Sequence, residues 1–259
     1  MKRIAAPLLT AAIAGALAFS AQAETYPGVP ALEELGSASP ALADYTETLV
    51  LGEVWKRADL SPRDRSIATI AALVARNQTG ELRFQVNFAL DNGVKPSEIS
   101  EIITHLAFYA GWGNATSAAA VLSEVFKERS IGEDQLPPAD AELLPLDEAT
   151  ENARANRVDE VYGGIADGVL KYTTEALFRD LWLRPALAPR DRSLVTVSAL
   201  IATGKIEQVS FHLGKAMDNG LTKPEASELL THLAFYAGWP NIFSTLPVAE
   251  KVFEAKASQ

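Results

Sequence analysis

The chain of 259 residues contains no cysteine, two methionines and three histidines. Without a thiol there is no disulfide, no thiolate metal site and no thiol-based peroxidase or reductase chemistry within the chain. Cationic excess is missing too. Only 23 Lys and Arg face 33 Asp and Glu, a net charge of −10, and no basic stripe runs along the sequence. Nucleic acid is therefore not an expected partner, because affinity for a phosphate backbone comes from clustered Lys and Arg that release counterions. Beyond the N-terminus the stretches that lack charge, 102–123 and 229–249, are broken by His, Asn, Thr, Ser, Gly and Pro rather than continuously apolar, so no later segment is expected to span a bilayer. The histidines lack the His-x-x-x-His and His-Glu-x-x-His spacings of a metal-binding helix, and no Gly-x-Gly-x-x-Gly or phosphate-loop pattern occurs. Neither a metal nor a cofactor is implied. Sustained alternation of apolar and polar residues between turn signals is also absent, which argues against a sheet.

What is present begins with a leader. Lys2 and Arg3 make a positive start, Ile4 to Phe19 form an uncharged, Ala-rich and mostly apolar stretch, and Ala21, Gln22 and Ala23 have the small-x-small form of a signal-peptidase site. Residues 1–23 are read as a cleaved secretory signal, with the mature chain periplasmic or secreted and free of the membrane after cleavage. An uncleaved N-terminal anchor is the alternative. Losing two cations leaves 21 Lys and Arg against 33 Asp and Glu, about −12.

The rest is a duplication. Shifted by 127 residues, the chain aligns on itself from Trp55 on Trp182 to Trp112 on Trp239 without a gap, and 29 of those 58 positions are identical. Arg63 to Ser66 recurs as Arg190 to Ser193, Asp91 to Gly93 as Asp218 to Gly220, and Thr104 to Trp112 as Thr231 to Trp239. Two units of this size are expected to pack as a pair rather than as a solenoid. The expected organisation is a first copy over residues 24–131, a linker rich in Pro and acids over 132–149, and a second copy over 150–259.

Each copy reads as helices, so the fold class is all-α. Pro62 and Pro189 suit a first helical turn, followed by apolar residues at spacings of three and four. A second helix closes at Asn92-Gly93 and at Asn219-Gly220. Thr222 with Glu225 forms a capping-box pattern that opens a third helix. That helix stops near Gly111 and Gly238, and an Ala-rich fourth follows. The segments Thr104 to Trp112 and Thr231 to Trp239, where identity is highest, are expected to be buried between the copies about a near two-fold axis.

Arg190, Arg192 and Ser193, then a helix ending in Asn219-Gly220, then Glu225 and Glu228, then His232, Tyr236, Gly238 and Trp239 occur in an order that resembles the carboxymuconolactone decarboxylase family. The second copy is the closer match, from about Ala153 to Phe253. The resemblance implies a helical, usually oligomeric protein with sites between paired units, and cofactor-free decarboxylation of a lactone of the protocatechuate pathway. A sister group, the alkylhydroperoxidase D-like proteins, carries Cys-x-x-Cys-x-x-x-His on the second helix. Here the histidine of that pattern falls on His212 and the two cysteine positions on Lys205 and Gln208, so the peroxidase reading fails.

The side chains narrow the remaining chemistry. Glu228, His232 and Tyr236 follow one another at four-residue steps and line one helix face, as do Glu101, His105 and Tyr109. A carboxylate one turn from an imidazole can hold its tautomer and raise its pKa, which suits an acid/base role; hydrogen-bonded core residues are the alternative. His212 differs because its counterpart is Gln85. An architectural role tends to be shared by both copies, whereas one proton-transfer site needs one imidazole, so His212 is read as catalytic or ligand-contacting in a single competent site, with the first copy mainly a scaffold. The candidate catalytic set is His212, His232, Glu228 and Tyr236. Arg190 and Arg192 are candidates for pairing with a substrate carboxylate, or else form structural ion pairs with Asp64 and Asp191. Gln208 is a further candidate substrate contact. Trp239, like Trp112, walls a pocket or packs in the core. The expected function is a cofactor-free decarboxylase-like enzyme acting on a small carboxylated lactone or related cyclic acid. The other reading is a non-catalytic helical protein that binds a ligand or partner. Self-association is expected from the resemblance and from the Ala-rich face of Ala115 to Val121.

Overall fold

A computed structural model describes residues 32–258; the proposed leader lies outside the described residues. Among them, regular structure is entirely helical, with twelve α-helices and a few short π- and 3-10-helical turns. The first copy contains α1 (Leu32–Ala38), α2 (Pro40–Asp44), a π turn (Tyr45–Leu51), a 3-10 turn (Val54–Lys56), α3 (Pro62–Ala75), α4 (Thr79–Asp91), α5 (Pro96–Ala110) and α6 (Trp112–Glu128). The second contains α7 (Glu148–Tyr162), α8 (Asp167–Tyr172), a π turn (Thr173–Phe178), a 3-10 turn (Leu181–Leu183), α9 (Pro189–Ala202), α10 (Ile206–Asp218), α11 (Lys223–Ala237) and α12 (Trp239–Ala257).

The boundaries follow from local chemistry. Helices α3 and α9 begin on Pro62 and Pro189, whose fixed φ suits the first turn. The Ser61 hydroxyl accepts the Asp64 amide at α3, while Ala188 leaves α9 without that bond. At α11 the Glu225 carboxylate accepts the Thr222 amide at 2.7 Å, the reciprocal bond of a capping box. Gly111 and Gly238 adopt φ of 96° and 89°, a conformation L side chains resist, and so let α5 turn directly into α6 and α11 into α12.

Helices α3 and α9 form the centre. Nearly every residue from Asp64 to Ala75 and from Asp191 to Ala202 is buried, which explains why neither helix has a clean apolar stripe. They pack on each other, while α5 packs on α9 and α11 on α3. The contacts between copies are thus reciprocal, the pattern of an approximate two-fold. At the helix starts, Arg63 bonds Glu98 and Asp191, each at 2.7 Å, and Arg190 bonds Asp64 at 2.9 Å and Glu225 at 2.7 Å. Six side chains, three from each copy, form this half-buried ionic knot.

The expectation for the most similar segments needs correction. His105, Leu106, His232 and Leu233 are buried, but Trp112 and Trp239 are 64% and 50% exposed. Each indole packs edge-on against a phenylalanine one turn back, exposed Phe108 or partly buried Phe235. The centre of the interface is instead α3 against α9.

The segment after α6 is docked rather than free. Leu144 donates its amide to the Leu183 carbonyl at 2.7 Å, and Arg184 donates to the carbonyls of Ala139 and Pro138. Among the described residues no helix is long and apolar enough to cross a membrane.

Candidate active site

Because α5 lies on α9 and α11 on α3, each polar face meets the other copy's arginine-bearing helix. Two matching clusters result. In the first, Glu228, His232 and Tyr236 of α11 face Trp55, Arg57, Arg65 and Thr69 of the first copy. In the second, Glu101, His105 and Tyr109 of α5 face Trp182, Arg184, Arg192 and Thr196 of the second copy.

In the first cluster Arg57 Nε lies 2.9 Å from both Glu228 oxygens, and Arg65 donates to Oε1 at 2.8 Å. His232 Nε2 is 2.8 Å from the Thr69 hydroxyl, which itself donates to the Arg65 carbonyl. The hydroxyl proton is thereby committed, so Nε2 carries the imidazole hydrogen and Nδ1 faces Arg65 Nη1 at 3.5 Å. Trp55 Nε1 donates to the Tyr236 hydroxyl at 2.8 Å. The second cluster repeats this. Arg184 and Arg192 donate to Glu101, His105 Nε2 lies 2.7 Å from the Thr196 hydroxyl, and Trp182 Nε1 donates to the Tyr109 hydroxyl at 2.9 Å.

This wiring overturns the expectation that a carboxylate raises the histidine pKa. Glu228 is occupied by two arginines and does not reach His232, whose pKa is pushed down to about 3 by burial and then by the Arg65 charge. His105 is driven well below its ordinary value by burial, Arg192 and His212. Burial favours the neutral Glu228 carboxyl, but the hydrogen bonds from Arg57 and Arg65 prevail and hold its pKa below the usual value. Tyr236 is pushed up to about 12, chiefly by burial. His232 and His105 are therefore neutral, doubly engaged and built into the core.

His212 belongs to the second cluster, not with His232. Its ring lies edge-on to Tyr109 at 5.4 Å between centroids, and nearly parallel to Trp182 at 6.3 Å. The sequence-derived catalytic set is thus divided: Glu228, His232 and Tyr236 complete one cluster, and His212 joins Glu101, His105 and Tyr109. His212 Nδ1 is buried without a hydrogen-bond partner, as is Glu101 Oε2. Burial, then the Lys215 charge, lowers the His212 pKa to about 4, so the imidazole is neutral and able to accept a proton. At the matching place in the other copy, Gln85 Oε1 is also unpaired.

A cavity of about 620 Å³ adjoins the second cluster, with Trp182, Phe178, Phe211, Lys215 and Arg154 among its walls. His212 is not a wall residue. A ligand in the cavity meets Lys215 and the aromatic rings first, with His212 beyond them.

The candidate substrate contacts are scattered. Arg190 is held in the ionic knot, which raises its pKa against the opposing effect of burial. Arg192 is fully buried and committed to Glu101, the Arg184 carbonyl and His105. Both arginines thus make the ion pairs that were the alternative to substrate pairing, Arg190 with Asp64, Asp191 and Glu225 and Arg192 with Glu101. Gln208 is exposed on the first turn of α10. Trp239 lines a separate, larger cavity of about 960 Å³ between α11, α12 and the Leu49 to Arg57 region. That cavity touches the first cluster only through Arg57, already paired with Glu228. Thr69, Thr196, Trp55, Trp182 and Lys215 were not singled out from sequence. The Phe88-to-Lys215 difference between the copies carried the same signal that marked His212. Among the described residues no group of three or more His, Asp or Glu could hold a metal ion.

The model of the carboxymuconolactone decarboxylase family matches residues 40–124 and 167–251. A 4-carboxymuconolactone decarboxylase of Acinetobacter baylyi is 40% identical over 75 residues, covering 29% of this chain and 56% of that protein. A nitrosuccinic acid decarboxylase of Metarhizium robertsii is 32% identical over 78 residues, covering 30% of this chain and 54% of that protein. The chain thus spans about half the length of the relatives it matches. A crystal structure assigned as a gamma-carboxymuconolactone decarboxylase subunit from Burkholderia xenovorans aligns with 94% of this chain and 96% of its own, with a TM-score of 0.51 and 16% identity, a likeness of fold.

Proposed function

Because the chain belongs to the carboxymuconolactone decarboxylase family, we propose that it is a cofactor-free decarboxylase acting on a small carboxylated lactone or related cyclic acid, with one competent site, at His212. The carrying observation is the asymmetry of two otherwise matching clusters: only one has an imidazole with a free, buried nitrogen beside a cavity.

Decarboxylation breaks the bond from ring carbon to carboxylate. CO2 leaves, the electron pair delocalises toward the lactone carbonyl, and a proton must reach carbon. In the free protein His212 is neutral. An anionic substrate nearby favours its protonated form, and the imidazolium then delivers the proton. Tyr109, bonded to Trp182 and packed against His212, keeps its proton because burial raises its pKa.

Non-catalytic ligand binding is the second reading, favoured by the position of His212 behind the cavity wall. Incubating the purified protein with a panel of carboxylated lactones and following CO2 release separates the two: turnover supports the enzyme, and ligand binding without CO2 supports the alternative. The Lys2 to Ala23 pattern supports a periplasmic or secreted address. The exposed side chains of Phe108, Trp112 and Trp239 support self-association.

A further inference from the structure

The cavity beside His212 contains more than one charged side chain, and nearly all are already engaged. Asp147 caps α7 by accepting the Thr150 amide at 3.1 Å and its hydroxyl at 2.7 Å. Glu151 is held by Arg154 through bonds of 2.7 and 2.6 Å, and the same guanidinium lies over the Phe178 ring at 4.2 Å. Asp218 pairs with Lys256. Lys215 is the exception. Among the described residues no hydrogen bond or ion pair reaches its ammonium, whose nitrogen stands 5.0 Å from the centre of the Trp182 ring. Burial holds its pKa below the ordinary lysine value, with Asp218 and Glu151 opposing. A partly buried cation with no direct ion pair, and with its nearest carboxylates engaged elsewhere, is costly to maintain for structure alone.

The aromatic walls add shape. Phe178 and Trp182 are stacked with only 8° between their planes and 6.1 Å between centroids, and both line the cavity as aromatic walls for an unsaturated ligand. The first copy has nothing comparable. Leu51 stands in place of Phe178 and Phe88 in place of Lys215. The Phe88 ring packs edge-on to Trp55 at 4.8 Å and parallel to Phe84 at 5.8 Å. Phe84 is 2% exposed, whereas its counterpart Phe211 is 55% exposed. One copy has closed this place with phenylalanine; the other keeps it open, aromatic and cationic.

We propose that Lys215, with the Phe178–Trp182 stack, forms the recognition subsite for an unsaturated carboxylate, and that it anchors a carboxylate other than the one lost. The second clause rests on the decarboxylase reading; the first does not. A fixed cation on the departing carboxylate would stabilise the ground state, whose charge disappears as CO2 forms, and would slow the reaction. Lys215 therefore acts on affinity, and the reacting carboxylate points away from it, toward His212.

Ligand-observed NMR titrations of the full protein with benzoate and with its uncharged analogue benzamide test the subsite without any turnover. The parent is expected to prefer benzoate by roughly tenfold to a hundredfold, the weight of one charge-assisted contact. Lys215→Gln should abolish that preference and Lys215→Arg should keep most of it, with Lys215→Met as a second neutral variant should the Gln protein be unfolded by circular dichroism. Equal affinity of the parent for the two ligands, or a benzoate preference that survives both neutral variants, overturns the proposal. The CO2 assay is scored separately. Charge-dependent benzoate binding without turnover on any lactone leaves the subsite standing and removes the decarboxylase reading. On a processed substrate, Lys215→Gln should raise KM with little change in kcat; a loss confined to kcat overturns the anchoring role.

Discussion

At the first cluster, Gln85 and Phe88 stand where the second cluster has His212 and Lys215, and Leu51 stands in place of Phe178. The polar frame around each is nearly the same: a Glu held by two arginines, a His bridged to a Thr, and a Tyr accepting from a Trp. A frame present twice is explained by what both halves need, which is a satisfied interface between α5 and α9 and between α11 and α3. The positions that differ are those free to serve a ligand. The pair thus functions as an internal control, separating architecture from chemistry in one molecule.

The contrast is broken most directly at His212. His212→Gln, which installs the side chain found at Gln85, should lower turnover by about two to four orders of magnitude while leaving the melting temperature nearly unchanged. Steady-state CO2 release on any processed substrate measures it, and parent-like turnover removes His212 from the mechanism. Glu228→Ala and Glu101→Ala should each cost about 3 to 5 kcal/mol in urea denaturation, because each strands a buried arginine. Similar losses in the two are expected if the frames are equivalent; a loss limited to one would show that the frames are not. Thr69→Val and Thr196→Val should cost less, about 1 to 3 kcal/mol each, by leaving Nε2 of His232 or His105 without its acceptor.

The gentlest probe is pH. His212 and His232 have folded-state pKa values near 4 and 3, and that of His105 is also depressed, while an unfolded histidine titrates near 6.5. Below pH 6.5 the unfolded chain takes up protons that the folded chain refuses, so stability is fully present above that pH and is lost as pH falls toward the folded values. Each buried histidine contributes a slope of about 1.4 kcal/mol per pH unit in that window. Denaturation between pH 6.5 and 4.5 should show the decline, and His212→Gln should flatten it by the share of one proton. An unchanged slope would mean that His212 is not buried as a neutral group.

The helices were legible because their signals are local. Pro62, Pro189, the Thr222–Glu225 box and the glycines at 111 and 238 act within one turn, and the 127-residue shift shows that both copies share them. The membership of each cluster was not legible. Periodicity correctly put Glu228, His232 and Tyr236 on one face, but which helix meets that face is a long-range fact, and grouping by copy set His212 beside the wrong histidine. Reciprocal packing of α5 on α9 and α11 on α3 exchanges partners between halves. Arg190 and Arg192 were similarly ambiguous, since an arginine at a helix start looks the same in sequence whether it faces a ligand or Asp64.

The ionic knot of Arg63, Asp64, Glu98, Arg190, Asp191 and Glu225 has a consequence for how the chain can be divided. Every bond across it has a mirror image made by the other half, which is the contact rule of an isologous dimer. A second half expressed alone would have lost Asp64 and Glu101 as partners for Arg190 and Arg192, but another copy of itself offers Asp191 and Glu228 in the same places. Such a fragment is therefore expected to pair with itself, regenerating the buried frame on both sides of a true two-fold. In that assembly the internal control is gone: both clusters carry His212 and Lys215, and the one site proposed for the full chain is present twice.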